Sequence, residues 1–159
     1  KVDQIGISIY ESKNLHVICE RLNPDIVQLP LNILDQRFLD DGSLNFLKEK
    51  NIKIHVRSVF LQGLLLYDPL KLPYYFKKWK NIFVNWQKSC KRQKFGLMDA
   101  ALNYVNSIKE VDYLVIGFEN FMQFKMCCDF LKKKNKIIFN PTNLKCDDVN
   151  LINPNNWII

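Results

Sequence analysis

Apolar residues in this chain fall into short runs that break abruptly into polar residues, and these runs alternate with stretches of helical spacing. The first run predicts a buried strand over residues 2–10, with Val2, Ile5, Ile7 and Ile9 apolar and Gly6 allowing close backbone approach. The second, Ile26 to Leu29, stops at Pro30; the third spans Ile52 to Val59; the fourth, Tyr113 to Ile116, is broken by Gly117. Between the first two, Ser12 stands where an N-cap belongs, Leu15, Val17, Ile18 and Leu22 suit one amphipathic helix, and Asn23-Pro24 closes it. After the turn at Asp40-Asp41-Gly42, Ser43 is expected to cap a helix carrying Leu44, Phe46 and Leu47. Further helices are predicted over 74–92, 97–108 and 120–133. Strand and helix alternating at roughly 25 residues per unit is the pattern of an α/β protein with a parallel sheet.

The organisation reads as one α/β unit over residues 1–135, followed by an asparagine-rich surface tail over 136–159. The segment 60–72 is a long apolar connection and a candidate substrate wall. In the helix near 74–92, Trp79, Phe83 and Trp86 interleave with lysines but share one face, which predicts core packing rather than a membrane-surface or nucleic-acid element.

Composition, charge and the chain's opening segment add further constraints. The chain is 48% hydrophobic and 25% charged, which fits a globular protein. No apolar run reaches the roughly 18 residues of a membrane span. The opening KVDQIGISIY has no secretory pattern, and it enters a strand without an initiator Met, the expectation for a trimmed or partial chain. The net charge of +7 comes almost wholly from lysine, with Arg only at 21, 37, 57 and 92. Base readers and phosphate forks favour Arg, so no nucleic-acid partner is expected. Five cysteines (Cys19, Cys90, Cys127, Cys128 and Cys146) lack metal-ligand spacing and read as reduced thiols of a cytoplasmic protein. No metal site and no membrane association are expected.

The polar residues with chemical promise stand at the carboxyl ends of the strands, where side chains point into the mouth of a barrel or crevice. Ser8, Gln28, Arg57 with Ser58, and Gly117 close the four strands in turn. Gln28 offers two donors and an acceptor to a planar amide, and Ser8 offers one of each. His16 and His55 read as structural or solvated.

Three motifs in this order, IGISIY (5–10), QLPLNILDQR (28–37) and RSVFLQGLLL (57–66), resemble the bacterial branch of the aldo/keto reductases. The resemblance runs from Val2 to about Lys133, and NLINPNNW (150–157) is similar to the family's terminal segment. It implies a partial TIM (β/α)8 barrel, about four parallel βα units that correspond to strands five to eight. It implies NADP(H) as cofactor, with NAD(H) the alternative. Ser8 and Gln28 would hold the nicotinamide carboxamide, and Arg57 would cover a ring face. Ser58, Phe60, Leu61, Gln62 and Gly63 would pass over the pyrophosphate, and Gly117 would lie near the cofactor's far end.

Three positions depart from the family pattern: Ile9 stands where many members carry Asn, and Met126 and Cys127 stand where Glu and Asn are expected. The family's catalytic Tyr, Lys, Asp and His belong to the first four units, so no catalytic residue is expected here. The implied function is the cofactor-binding portion of an NAD(P)H-dependent carbonyl reductase; the alternative is a degenerate domain serving as an interaction module or without function. Four strands cannot close a barrel. Ile7, Val27, Val56 and Val115 are the expected inward residues. The expected partner is a missing N-terminal half-barrel, or a second copy joined through open sheet edges.

Overall fold

The computed structural model describes residues 1–132, 138–141 and 143–158. Its framework is one sheet of four parallel strands in the order β1-β2-β3-β4: β1 (Gly6–Ser8), β2 (Ile26–Pro30), β3 (Lys53–Arg57) and β4 (Tyr113–Leu114). Helices α1 (Leu15–Leu22), α2 (Arg37–Asp40) and α3 (Ser43–Glu49) lie in the first two connections. Helices α4 (Lys80–Arg92) and α5 (Leu97–Asn106) lie in the third, and α6 (Phe121–Lys132) and α7 (Val149–Ile152) follow β4. The α/β fold and the parallel sheet are as the apolar pattern predicts. The expected end of α6, Lys133, lies outside the described residues.

Strand alternation divides the sheet into two unlike faces. Ile7, Val27, Leu29, Ile54, Val56 and Leu114 share one face by register. This face packs into a buried cluster with Leu15 and Cys19 of α1 and Leu44 and Leu47 of α3. The opposite face carries Ser8, Gln28, His55, Arg57 and Tyr113, none of them fully buried. The assignment of Ile7, Val27 and Val56 to a barrel interior is therefore corrected: they face the helices. Only Val115 falls on the open side, 43% exposed. The open face is lined mainly by polar and ring-bearing side chains rather than aliphatic ones.

The outer strands are shorter than their apolar runs. Val2 and Ile5 are 78% and 54% exposed, because β2 begins at Ile26 and offers no backbone for residues 2–4 to pair with. Gly6 does permit close approach: a Cβ there would stand 3.0 Å from both Cβ and the carbonyl oxygen of Ile26. Asn14, left-handed at φ 67°, takes the N-cap position of α1 in place of Ser12. In α3, Ser43 is the first helical residue, and the Asp41 carboxylate accepts its N–H at 2.9 Å.

Two expectations about the later chain change. The run 74–92 is a 3₁₀ segment (Tyr74–Trp79) followed by α4, and Trp79, Phe83 and Trp86 are buried as their spacing requires. The described residues of 136–159 are not a solvent-facing tail. Phe139 packs edge to face against Trp86 and Phe95, Leu151 and Ile152 are buried, and Trp157 meets Phe76 with ring centroids 4.8 Å apart. Tyr75 Oη lies 3.1 Å from the carbonyl oxygens of both Asn150 and Asn156 and shares its one proton between them, tying the segment down. Apolar residues spaced too irregularly to predict an element still supply core.

Candidate functional site

Parallel register sets Ser8, Gln28, His55 and Tyr113 in one row across all four strands of the open face. Ser8 Oγ donates to Gln28 Oε1 at 3.3 Å. Gln28 is half-buried, with its amide donors available to a further acceptor. The His55 and Tyr113 rings meet edge to face, centroids 4.9 Å apart. Gln28 thus neighbours His55 rather than Arg57, which pairs in register with Pro30 further toward the carboxyl end.

Arg57 is fixed from three sides. Its guanidinium lies 3.9 Å over the Tyr10 ring. Nη2 donates to the Ile9 carbonyl at 3.0 Å, and Nη1 to Ser58 Oγ at 3.2 Å. Burial draws its pKa down, against the opposing pull of Tyr10 and Asp35, but an Arg remains a cation at neutral pH. One guanidinium face is therefore occupied by Tyr10. Since Ile9 N–H bonds the Gln28 carbonyl at 2.9 Å, Ser8, Gln28, Arg57 and Ser58 converge at one end of the sheet.

Beyond Arg57 the backbone enters the left-handed region repeatedly: Ser58 at φ 60°, Leu61 at 47°, Gln62 at 52° and Gly63 at 86°. Non-glycine residues there cost roughly 1–2 kcal/mol each, and such strain concentrates at functional turns. Two contacts offset it: Leu61 N–H bonds the Ser58 carbonyl at 2.9 Å, and Trp86 Nε1 donates to the Leu65 carbonyl at 2.8 Å. Leu61 is buried, Phe60 half-buried and Gln62 exposed, so a ligand over this loop would meet backbone at Leu61. At Gly63 nothing lies within 4 Å of where a Cβ would stand, leaving open space above the backbone. Leu61, Leu64, Leu65 and Leu72 pack into the core. The segment 60–72 thus spends most of its leucines on packing rather than on a substrate wall.

Gly117 follows β4, three strands away from Ser8, and is exposed. The start of α6 is occupied by local capping: Asn120 Oδ1 accepts Gln123 N–H, and Gln123 Oε1 accepts Glu119 N–H, both at 3.0 Å. Met126 is exposed, whereas Cys127 is buried with its Sγ 3.9 Å from Met98 Sδ. Ser8 and Gln28 lie together at the carboxyl ends of β1 and β2, while the described residues after β4 bring no comparable polar pair to the sheet.

Tyr10 and Asn32, not singled out by the sequence, and His55, expected to be structural or solvated, also stand at this end of the sheet. Tyr10 shares strand parity with Ser8 and supplies the surface for Arg57. His55 stands beside Gln28 on the same face. Asn32 is wholly buried: Oδ1 accepts the Leu34 and Asp35 N–H groups at 2.9 and 3.0 Å, and Nδ2 donates to the Ser58 carbonyl at 3.1 Å. Nearby Asp35, also fully buried, forms a two-pronged pair with Arg37 at 2.8 and 2.9 Å. The signal for Asn32 and Asp35 was a pair of polar residues inside the apolar stretch Leu29–Leu34 and at its end.

A groove of about 700 Å³ lies elsewhere, lined by Pro73, Tyr74, Tyr75, Lys77, Lys78 and Ile158, and shares no residue with the strand ends. Among the described residues there is no cluster of His, Cys, Asp and Glu suited to a metal ion, and no helix long and apolar enough to cross a membrane. All five cysteines are free.

Four parallel strands alternating with helices, with polar side chains at their carboxyl ends, have the architecture of part of a βα barrel. The model of the aldo/keto reductase family matches residues 1–136, and the chain belongs to that family. No curated protein matches the sequence. Family membership brings the general expectation of oxidoreductase chemistry with a nicotinamide cofactor.

Proposed function

We propose that this chain is the cofactor-holding portion of an NAD(P)H-dependent aldo/keto reductase and corresponds to strands five to eight of the barrel. The observation that carries the reading is the Ser8–Gln28 pair on the open face, beside Arg57 and the left-handed Ser58–Gly63 loop. Ser8 and Gln28 would bond the carboxamide, and the exposed backbone near Gly63 would pass close to the pyrophosphate. When bound, the cofactor supplies the hydride. The proton-donating Tyr and its supports belong, by family pattern, to the first four units, so this chain alone leaves a carbonyl unreduced. A further four-stranded half, carried by another polypeptide segment or a second copy, would complete the barrel against the outer edges of β1 and β4. Five free thiols favour a cytoplasmic setting.

Titration of the purified chain with NADPH, followed by tryptophan fluorescence, should give a saturable signal that Gln28→Leu weakens about tenfold. A flat response to millimolar NADPH and NADH alike would sink the reading for this chain. One observation favours a second reading, a non-catalytic interaction module: Cys127, at a position where the family places a phosphate-side polar residue, is buried against Met98. That reading gains if the flat response accompanies stable capture of a partner half-barrel without carbonyl reduction.

A further inference from the structure

We infer that Asn32 is a positioning residue that holds the Ser58–Gly63 loop in its ligand-facing shape. Asn32 sits in the connection after β2, yet its Nδ2 reaches the Ser58 carbonyl in the connection after β3, at 3.1 Å. That same carbonyl accepts Leu61 N–H at 2.9 Å, so one oxygen closes the loop's first turn and anchors it to the neighbouring unit. Asn32 is itself immobilised, being fully buried with Oδ1 on two backbone N–H groups. Its own N–H bonds the Asp35 carbonyl at 3.1 Å, and the preceding Leu31 N–H bonds the Arg57 carbonyl at 3.2 Å.

The residue that needs holding is Ser58. At φ 60° it lies where residues with a Cβ are disfavoured, and without a tether it would relax toward negative φ. That relaxation would swing Ser58 Oγ away from Arg57 and turn the 61–63 backbone. Asparagine suits the task because it accepts on one atom and donates on another. Aspartate would keep the two accepted bonds but set a carboxylate oxygen against the Ser58 carbonyl.

The consequence for ligand affinity rests on the dinucleotide reading above; the backbone tether does not. In the full chain, Asn32→Asp should speed hydrogen exchange at the Leu61, Leu64 and Leu65 amides at least tenfold without ligand, and raise the NADPH Kd about tenfold. In a Ser58→Gly background, where left-handed φ carries no Cβ penalty, Asn32→Ser should change either quantity less than threefold. It removes the amide donor without setting a carboxylate against the carbonyl, and with Ser58 present it should match Asn32→Asp. Equal losses in both backgrounds, or unchanged exchange at these amides, would overturn the role. If wild-type chain gives no saturable NADPH signal, the dinucleotide reading fails and exchange alone decides the tether. Should N32D not fold, Asn32→Ser, which retains a turn acceptor but is too short to reach Ser58, decides by itself.

Discussion

Asp112 shows how much one side chain can join. Its carboxylate accepts Ile54 N–H at 2.7 Å and Lys48 Nζ at 2.8 and 3.0 Å, bridging the entry to β4, β3 and the end of α3. Burial alone would raise its pKa, but the bonds from Lys48 and Ile54, with the charges of Lys48 and His55, together lower it below the usual carboxylate value. A depressed folded-state pKa contributes stability that is complete above the unfolded value of about 4 and is lost as pH falls through the folded one. Asp112→Asn should therefore lower stability at pH 7 and flatten the decline below about pH 4, read by urea midpoints across pH. Burial acts in the same upward direction on the Cys90 thiol, pushed to about 12, so alkylation by iodoacetamide at pH 8 should spare it while the protein is folded. At this scale Ser8 and Gln28 were legible because they end apolar runs. Asn32 and Tyr10 were not, since their partners, Ser58 and Arg57, lie 26 and 47 positions away in sequence.

The strands and helices were legible wherever periodicity was strong. Trp79, Phe83 and Trp86 recur at helical spacing, and all three are buried. Boundaries at the sheet's edges were less so, because apolar residues such as Val2 and Ile5 continue beyond the neighbour they pair with. Gly6→Ala tests the close approach of β1 to β2: a methyl placed 3.0 Å from Ile26 should cost about 1–3 kcal/mol in chemical denaturation. The segment after α6 has little periodicity, yet Phe139 inserts between Trp86 and Phe95, and its N–H bonds Asn103 Oδ1 at 2.7 Å. Phe139→Ala should cost about 3–5 kcal/mol in urea unfolding, as for any large buried aromatic. A surface tail would show almost no change.

Across the whole molecule, the sheet has one face sealed by helices and one open face bearing Ser8, Gln28, His55 and Tyr113. Parallel sheets are ordinarily covered on both sides. Under the proposed half-barrel assembly the open side and the two outer strands would be the docking surface, and native mass spectrometry should find the chain paired, with itself or with a complementary half. A strictly monomeric species at tens of micromolar would count against that assembly. Sequence alone determined the α/β class, the parallel order implied by alternating units, and the strand-end residues, because hydrophobic period and turn chemistry are local properties of a chain. Only tertiary structure decided which strand face meets the helices, because reversing the parity of a strand leaves its apolar count unchanged. It likewise decided that the asparagine-rich terminal segment supplies core, and that a buried amide on one loop holds the strained backbone of the next. Those outcomes depend on which distant residues share a site, and spacing along the chain does not encode that.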